Sequence, residues 1–93
     1  MKVEFDPEKC EATLANRGLD MGRAAEVFAA AHITIDDDRI DYGEPRFITI
    51  GALDERMVVF VWTWRGENLR VISMRKANER EQKRYSPRLG GSR

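Results

Sequence analysis

The 93-residue sequence predicts one α+β domain in the order β-α-α-β-β-β-β-α, an antiparallel sheet with helices packed on it. Three observations lead there. Apolar residues recur at helical spacing up to Ala31 and at a period of two from Ile33 onwards. The period-two segments are joined by short polar links of the hairpin kind, "ALDE" and "RGEN". The chain is too short for two independent cores, yet 42% of its residues are apolar, enough for a modest one.

Taken in order, "KVEFD" (Lys2–Asp6) alternates polar and apolar residues and suits a short edge strand. Asp6-Pro7 reads as an N-cap followed by proline at the first helical position. The helix from Pro7 presents Cys10 and Leu14 on one face and stops at Gly18, a residue suited to a left-handed cap. Asp20 caps a second helix, with Met21, Ala24, Val27, Phe28 and Ala31 at helical spacing. The two helices form one layer on one side of the sheet. "ITI" (Ile33–Ile35) is a strand, "DDDRIDYGEP" (Asp36–Pro45) a polar connection, and "RFITIG" (Arg46–Gly51) the next strand. "MVVFVWTW" (Met57–Trp64) is apolar on both faces, as in a central strand covered from both sides. A tight turn at Arg65–Asn68 leads into Leu69–Met74. Asn78 with Glu81 has the form of a capping box, which starts a last helix running towards Ser86-Pro87. The domain is expected to span 1–86, with 87–93 a flexible tail.

Several function classes drop out. A single cysteine, Cys10, excludes an internal disulfide and a cysteine metal cluster. No apolar run approaches the ~18 residues that cross a bilayer, and no signal-peptide core follows Met1, so a soluble cytoplasmic domain is expected. Phosphate-loop, zinc and nucleophile-elbow motifs are absent. The acidic run Asp36–Asp38 with Asp41 and Glu44 lacks the calcium-loop spacing and its glycine, so it reads as a solvated loop; no metal or cofactor is expected. The one histidine, His32, excludes a two-histidine ribonuclease mechanism and reads as structural. Trp62 and Trp64 share a strand face and read as core or interface.

Net charge zero hides an asymmetry. Residues 1–64 carry seven basic against thirteen acidic side chains, a balance of −6; residues 65–93 carry nine against three, a balance of +6. The basic half centres on "LRVISMRKANEREQKRY". On an uninterrupted strand Arg70, Ile72 and Met74 face one way, and Leu69, Val71, Ser73 and Arg75 the other. Arg75 and Lys76 stand just before the last helix, whose free N–H groups also attract anions. The arginine fork fits phosphate oxygens and does not titrate away. Arg80 and Arg84 share a helix face, and Tyr85 suits stacking on a base, donating a proton or anchoring the helix. The residues leave two readings: a phosphate grip, or cations paired with the acidic half.

Three blocks bear on that choice: "VEFDPEKCEATLANRGLDMGRAAEVF", "DDDRIDYGEPRFITIG" and "RGENLRVISMRKANEREQKRY". In these and in their spacing, residues 3–85 resemble the BrnT family of type II toxins, most specifically in "RVISMRKANERE" with its following tyrosine. The resemblance implies a RelE-like fold and metal-independent endoribonuclease cleavage of RNA that inhibits translation. It implies Arg70, Arg75, Lys76 and Tyr85 as catalytic residues and Arg46, Arg80 and Arg84 as substrate-binding residues. It further implies neutralisation by a BrnA-like antitoxin with a ribbon-helix-helix DNA-binding end, in a heterotetramer of two toxin and two antitoxin chains, with DNA reached only through the antitoxin. The alternative from another class is a non-catalytic binding module, acting mainly as partner of a DNA-binding antitoxin in an autoregulatory repressor. This sequence departs from the family in carrying Asn16-Arg17 for the usual Lys-His, and Ala30-Ala31 for an Asp-Pro corner. A guanidinium stays protonated, so Arg17 cannot replace a histidine base.

Overall fold

A strand without a polar face has to be covered on both sides. In the computed structural model, which describes residues 2–89, the segment around Met57–Trp64 occupies the middle of a five-stranded sheet. The strands are β1 (Val3–Glu4), β2 (His32–Asp36), β3 (Phe47–Leu53), β4 (Arg56–Arg65) and β5 (Asn68–Lys76), in spatial order β1-β5-β4-β3-β2. The α-helices are α1 (Pro7–Arg17), α2 (Ala24–Val27) and α3 (Glu79–Tyr85). The class is α+β, as the sequence predicts.

The sheet is not antiparallel throughout. Strands β2 to β5 form an antiparallel meander, but β1 joins β5 in parallel through Val3 with Leu69 and Glu4 with Arg70. A parallel neighbour needs a crossover, and the chain from α1 to β4 supplies one. Side chains reinforce the junction, with Asn68 Nδ2 donating to Glu4 Oε2.

Local chemistry sets the helix ends. Asp6 accepts the Glu8 N–H, Pro7 takes the first helical position, and Gly18 caps α1 at φ 68° with its N–H on the Leu14 carbonyl. Asp20 caps Met21–Arg23, but as a 3-10 turn, and α2 ends at Val27 rather than Ala31. The N–H groups of Phe28, Ala29 and Ala30 bond three residues back, not four. The chain tightens here because it must enter β2 where it crosses Gly51 of β3. A Cβ on Gly51 would lie 2.5 Å from Val27 Cγ1 and 3.3 Å from His32 Cβ. Asp54 and Glu55, both at positive φ (52° and 65°), join β3 to β4 with the twist that hairpins favour.

The helices do not share one side of the sheet. The segment Leu19–Val27 covers one face, where Leu19, Met21, Ala24 and Val27 pack on Phe60, Trp62, Leu69, Val71 and Met74. Helix α3 lies on the other, where Tyr85 and Leu89 pack on Ile50, Val59 and Ala77. Both faces of β4 are apolar, so one layer of helices would leave Val59 and its neighbours in water. Of the tail expected over 87–93, Pro87–Leu89 forms a 3-10 turn, and 90–93 lie outside the described residues.

The strand alternation expected for Leu69–Arg75 is interrupted. Val61 pairs with Ser73 and Trp62 with Val71, so Ile72 is an extra residue, a β-bulge. Beyond it the parity reverses. Met74 joins Leu69 and Val71 in the core, while Arg75 joins Ser73 on the opposite face, opposite Val59. Arg70, opposite Thr63, belongs to that same face, so Arg70 and Arg75 are not on opposite sides as uninterrupted alternation requires.

The close crossing at Gly51 has a direct test. Gly51→Ala is expected to destabilise the protein by ~1–3 kcal/mol through overpacking against Val27. A lower urea midpoint at unchanged m-value would show it; an unchanged midpoint would mean that the crossing relaxes freely.

Candidate functional site

The face of the sheet that carries α3 is only partly covered. An open groove of about 310 Å³ remains, with Ile48, Ile50, Val59 and Val61 as its floor. Ser73, Arg75, Glu81 and Tyr85 line one side, Ile35 and Arg39 the other. The strands supply a rigid apolar base, and the charged groups enter from strand ends, a loop and α3.

Arg75 reaches the groove because of the bulge. Its Nη1 and Nη2 donate to Oε1 and Oε2 of Glu81, both at 2.8 Å. Glu81 also accepts the Asn78 N–H at 2.9 Å, while its own N–H donates to Asn78 Oδ1 at 2.8 Å, the reciprocal capping box expected from the sequence. One carboxylate thus starts α3 and orients the arginine. The bonds from Arg75 lower the Glu81 carboxyl to about 2, and the same bonds raise Arg75. Glu81 is therefore a poor proton acceptor at neutral pH, and Arg75 is a fixed cation. Its side chain is 47% exposed, so it is oriented without being sealed off.

Arg39 stands across the groove. Asp37, whose side chain is fully buried, accepts Arg39 Nε at 2.7 Å and Nη2 at 2.8 Å. The nearby Tyr42 also favours the charged form of Asp37. Arg39 holds the Asp37 carboxyl below the usual carboxylate range, and Asp37 raises Arg39 in turn. Arg39 lies close enough to Arg75 for the two charges to oppose one another. Sequence reasoning missed this pair by reading the acidic run as uniformly solvated. The available signal was an arginine two residues after an aspartate, a spacing common in loops.

Two residues expected at the site, Arg75 and Tyr85, line the groove; the other five do not. Arg70 faces the same way but lies beside β1, 3.6 Å from Glu4. Lys76 is opposite Val58 and projects to the face of α1 and α2, since neighbours on a strand alternate. Arg46 sits over the Tyr42 ring at 4.0 Å and bonds Glu44 at 3.2 Å. Arg80 is exposed on α3, and exposed Arg84 lies 5.5 Å from the Tyr85 ring centroid. The two sequence readings therefore divide: Glu4 and Glu44 of the acidic half pair with Arg70 and Arg65, whereas Arg75 pairs within the basic half.

His32 is on the opposite face, with its Nδ1 2.8 Å from the Ala30 carbonyl oxygen and its ring edge-on to Phe28. Arg17 donates to the Met74 carbonyl at 2.6 Å and ties α1 to β5. Trp62 is buried and donates to Thr49 Oγ1, while Trp64 is half exposed. Among the described residues, no three His, Cys, Asp or Glu side chains are grouped to hold a metal ion.

A family model described as the ribonuclease toxin BrnT of type II toxin–antitoxin systems matches residues 5–81. The match takes in Arg39, Arg75 and Glu81 and stops short of Tyr85. No curated protein matches the chain.

The Arg75–Glu81 pair makes a pH prediction. A depressed carboxyl contributes stability that is complete above its unfolded value, near 4.3, and is lost as pH falls through its folded value. Between those limits acid should loosen the start of α3. The Glu81 carboxyl ¹³C resonance should titrate near 2, and in Arg75→Gln it should return towards the ordinary range. Equal midpoints in the two proteins would show that Arg75 does not hold the carboxylate.

Proposed function

The chain belongs to the BrnT family of ribonuclease toxins of type II toxin–antitoxin systems, and from that premise we propose that it cuts RNA in the groove beside Arg75. The observation carrying this reading is a permanently charged, half-exposed guanidinium aimed over an apolar floor with a tyrosine beside it. The nucleophile is the substrate's own 2′-hydroxyl, which RNA has and DNA lacks. It attacks the adjacent phosphorus and gives up its proton to water, the bond to the 5′-oxygen breaks, that oxygen takes up a proton from Tyr85 or from water, and a 2′,3′-cyclic phosphate and a 5′-hydroxyl result. Negative charge builds on the non-bridging oxygens, where a positioned donor such as Arg75 contributes roughly 2.7–4 kcal/mol. Tyr85 either stacks on the base or protonates the leaving oxygen. With Glu81 tied to Arg75, the groove's lining has no strong base, so positioning and charge carry the rate. The route needs no metal ion.

Arg46, Arg70, Arg80 and Arg84 act from outside the groove by attracting the RNA backbone. Lys76 faces away and has no part in this reading. A type II toxin implies a protein antitoxin. We assign it as BrnA-like with a ribbon-helix-helix end, two copies of each chain forming the complex and DNA reached only through that partner. We further assign a RelE-like fold and RNA cleavage that stops translation in the cytoplasm. No helix among the described residues is long and apolar enough to cross a membrane.

Induced expression of the chain alone in a bacterial host, followed by growth and RNA integrity, tests the reading. Wild type should arrest growth with loss of messenger RNA; Arg75→Ala should lower the cleavage rate about 10²–10³-fold while still binding the antitoxin. Arrest by both proteins would move the site elsewhere. Normal growth with soluble wild type would favour the non-catalytic binding module.

A further inference from the structure

Resting on the reading just given, we propose that Arg39 is a second phosphate-contacting residue, held in place by Asp37. The groove then clasps one phosphodiester of single-stranded RNA between Arg39 and Arg75 and seats an unpaired base on its Ile/Val floor. Arg39 spends Nε and one Nη2 hydrogen on Asp37, leaving the Nη1 edge for a ligand. Arg75 spends one hydrogen on each terminal nitrogen on Glu81 and also directs Nη1 at the Lys76 carbonyl at 3.4 Å, leaving Nε and the second Nη2 hydrogen for a ligand. The two guanidinium groups repel each other across the groove, and no unengaged carboxylate lines the space between them, since Glu81 is already bonded to Arg75. An anion between them turns that repulsion into attraction to both. A phosphodiester suits the position because guanidinium forks match its oxygens.

The rest of the lining selects what the phosphate brings. Four Ile and Val side chains offer an apolar surface to a base but no hydrogen-bond partners for its edge. A base can occupy such a surface only if unpaired, so the substrate is a single strand and the floor reads little sequence. Asp37 is a positioning residue. Buried and bonded through both oxygens, it fixes the plane of an otherwise mobile side chain that is 66% exposed.

The test is fluorescence anisotropy of the purified chain with a short, uncleavable, 2′-O-methylated RNA over a range of salt. Arg39→Gln should weaken binding about tenfold and flatten the slope of log K against log salt by ~0.7, the value for one lost contact on a single strand. Arg39→Lys keeps the charge but not the fork, and should restore the slope with only part of the affinity. Asp37→Asn should weaken binding when Arg39 is present and have no effect on the Arg39→Gln background, because it acts only through that arginine. The double variant also leaves no unpaired buried carboxylate, so a loss seen in Arg39→Gln but absent from the double variant would overturn the assignment. An Arg39→Gln protein that binds RNA as wild type while Arg75→Gln does not would overturn it too, and leave the Arg75 site standing. Loss of antitoxin binding alone in Arg39→Gln would assign the arginine to the protein partner instead. Wild type that binds no RNA would overturn the parent reading along with this one.

Discussion

One extra residue in β5 decides what each side of this molecule is. Ile72 has no partner on β4, and its insertion exchanges the two faces for everything after it. Without it Met74, which is fully buried, would leave the core and Arg75 would enter it. Removing a buried methionine from the core costs about 1.5–3 kcal/mol, and an unpaired arginine in its place costs more. The bulge gives up a little ladder regularity and avoids both. It also aims the chain so that Ala77 lands on Ile50 and Val59, which is what brings α3 onto the face opposite α1 and α2. The groove is the space that this helix leaves uncovered.

The parts of this architecture legible in the sequence are those set by neighbours in the chain. Asp6-Pro7, Gly18, Asp20 and the Asn78–Glu81 box act over two to four residues, and each does locally what its chemistry implies. The central position of β4 was readable because apolar residues on both faces admit few other placements. The bulge at Ile72 was not, since nothing in "LRVISMRK" marks where alternation breaks; only the partner strand does. The parallel seat of β1 and the placement of α3 are likewise long-range outcomes. At the groove, Arg75 was legible as a cation at the end of an apolar strand and Tyr85 as a ring on the helix that follows it. Lys76 was grouped with Arg75 by sequence proximity, although adjacent strand residues point apart.

Both groove arginines are tethered by carboxylates, and this resolves the charge asymmetry of the chain. The two halves do not simply neutralise each other. Glu81 comes from the basic half and Asp37 from the acidic one, yet each grips a guanidinium through two oxygens. Orientation is thus set before any ligand arrives, so fewer rotamers have to be frozen on binding. Some of each cation's charge is already offset, which moderates attraction for anions in general while leaving directed N–H groups for the right one. A site arranged in this way rewards geometry more than bulk charge.

The seat of β1 has a consequence in time. Val3 and Glu4 are made well before their partners Leu69 and Arg70, which lie on the far side of the crossover and the meander. Until then the opening strand has no edge to join, and the loop that finally closes spans most of the chain, an entropy cost that delays contacts of this range. Arg75, Glu81 and Tyr85 are made later still. A nascent chain that stops short of α3 therefore has neither a finished sheet nor a formed groove, and whatever this groove does waits until that helix has been made.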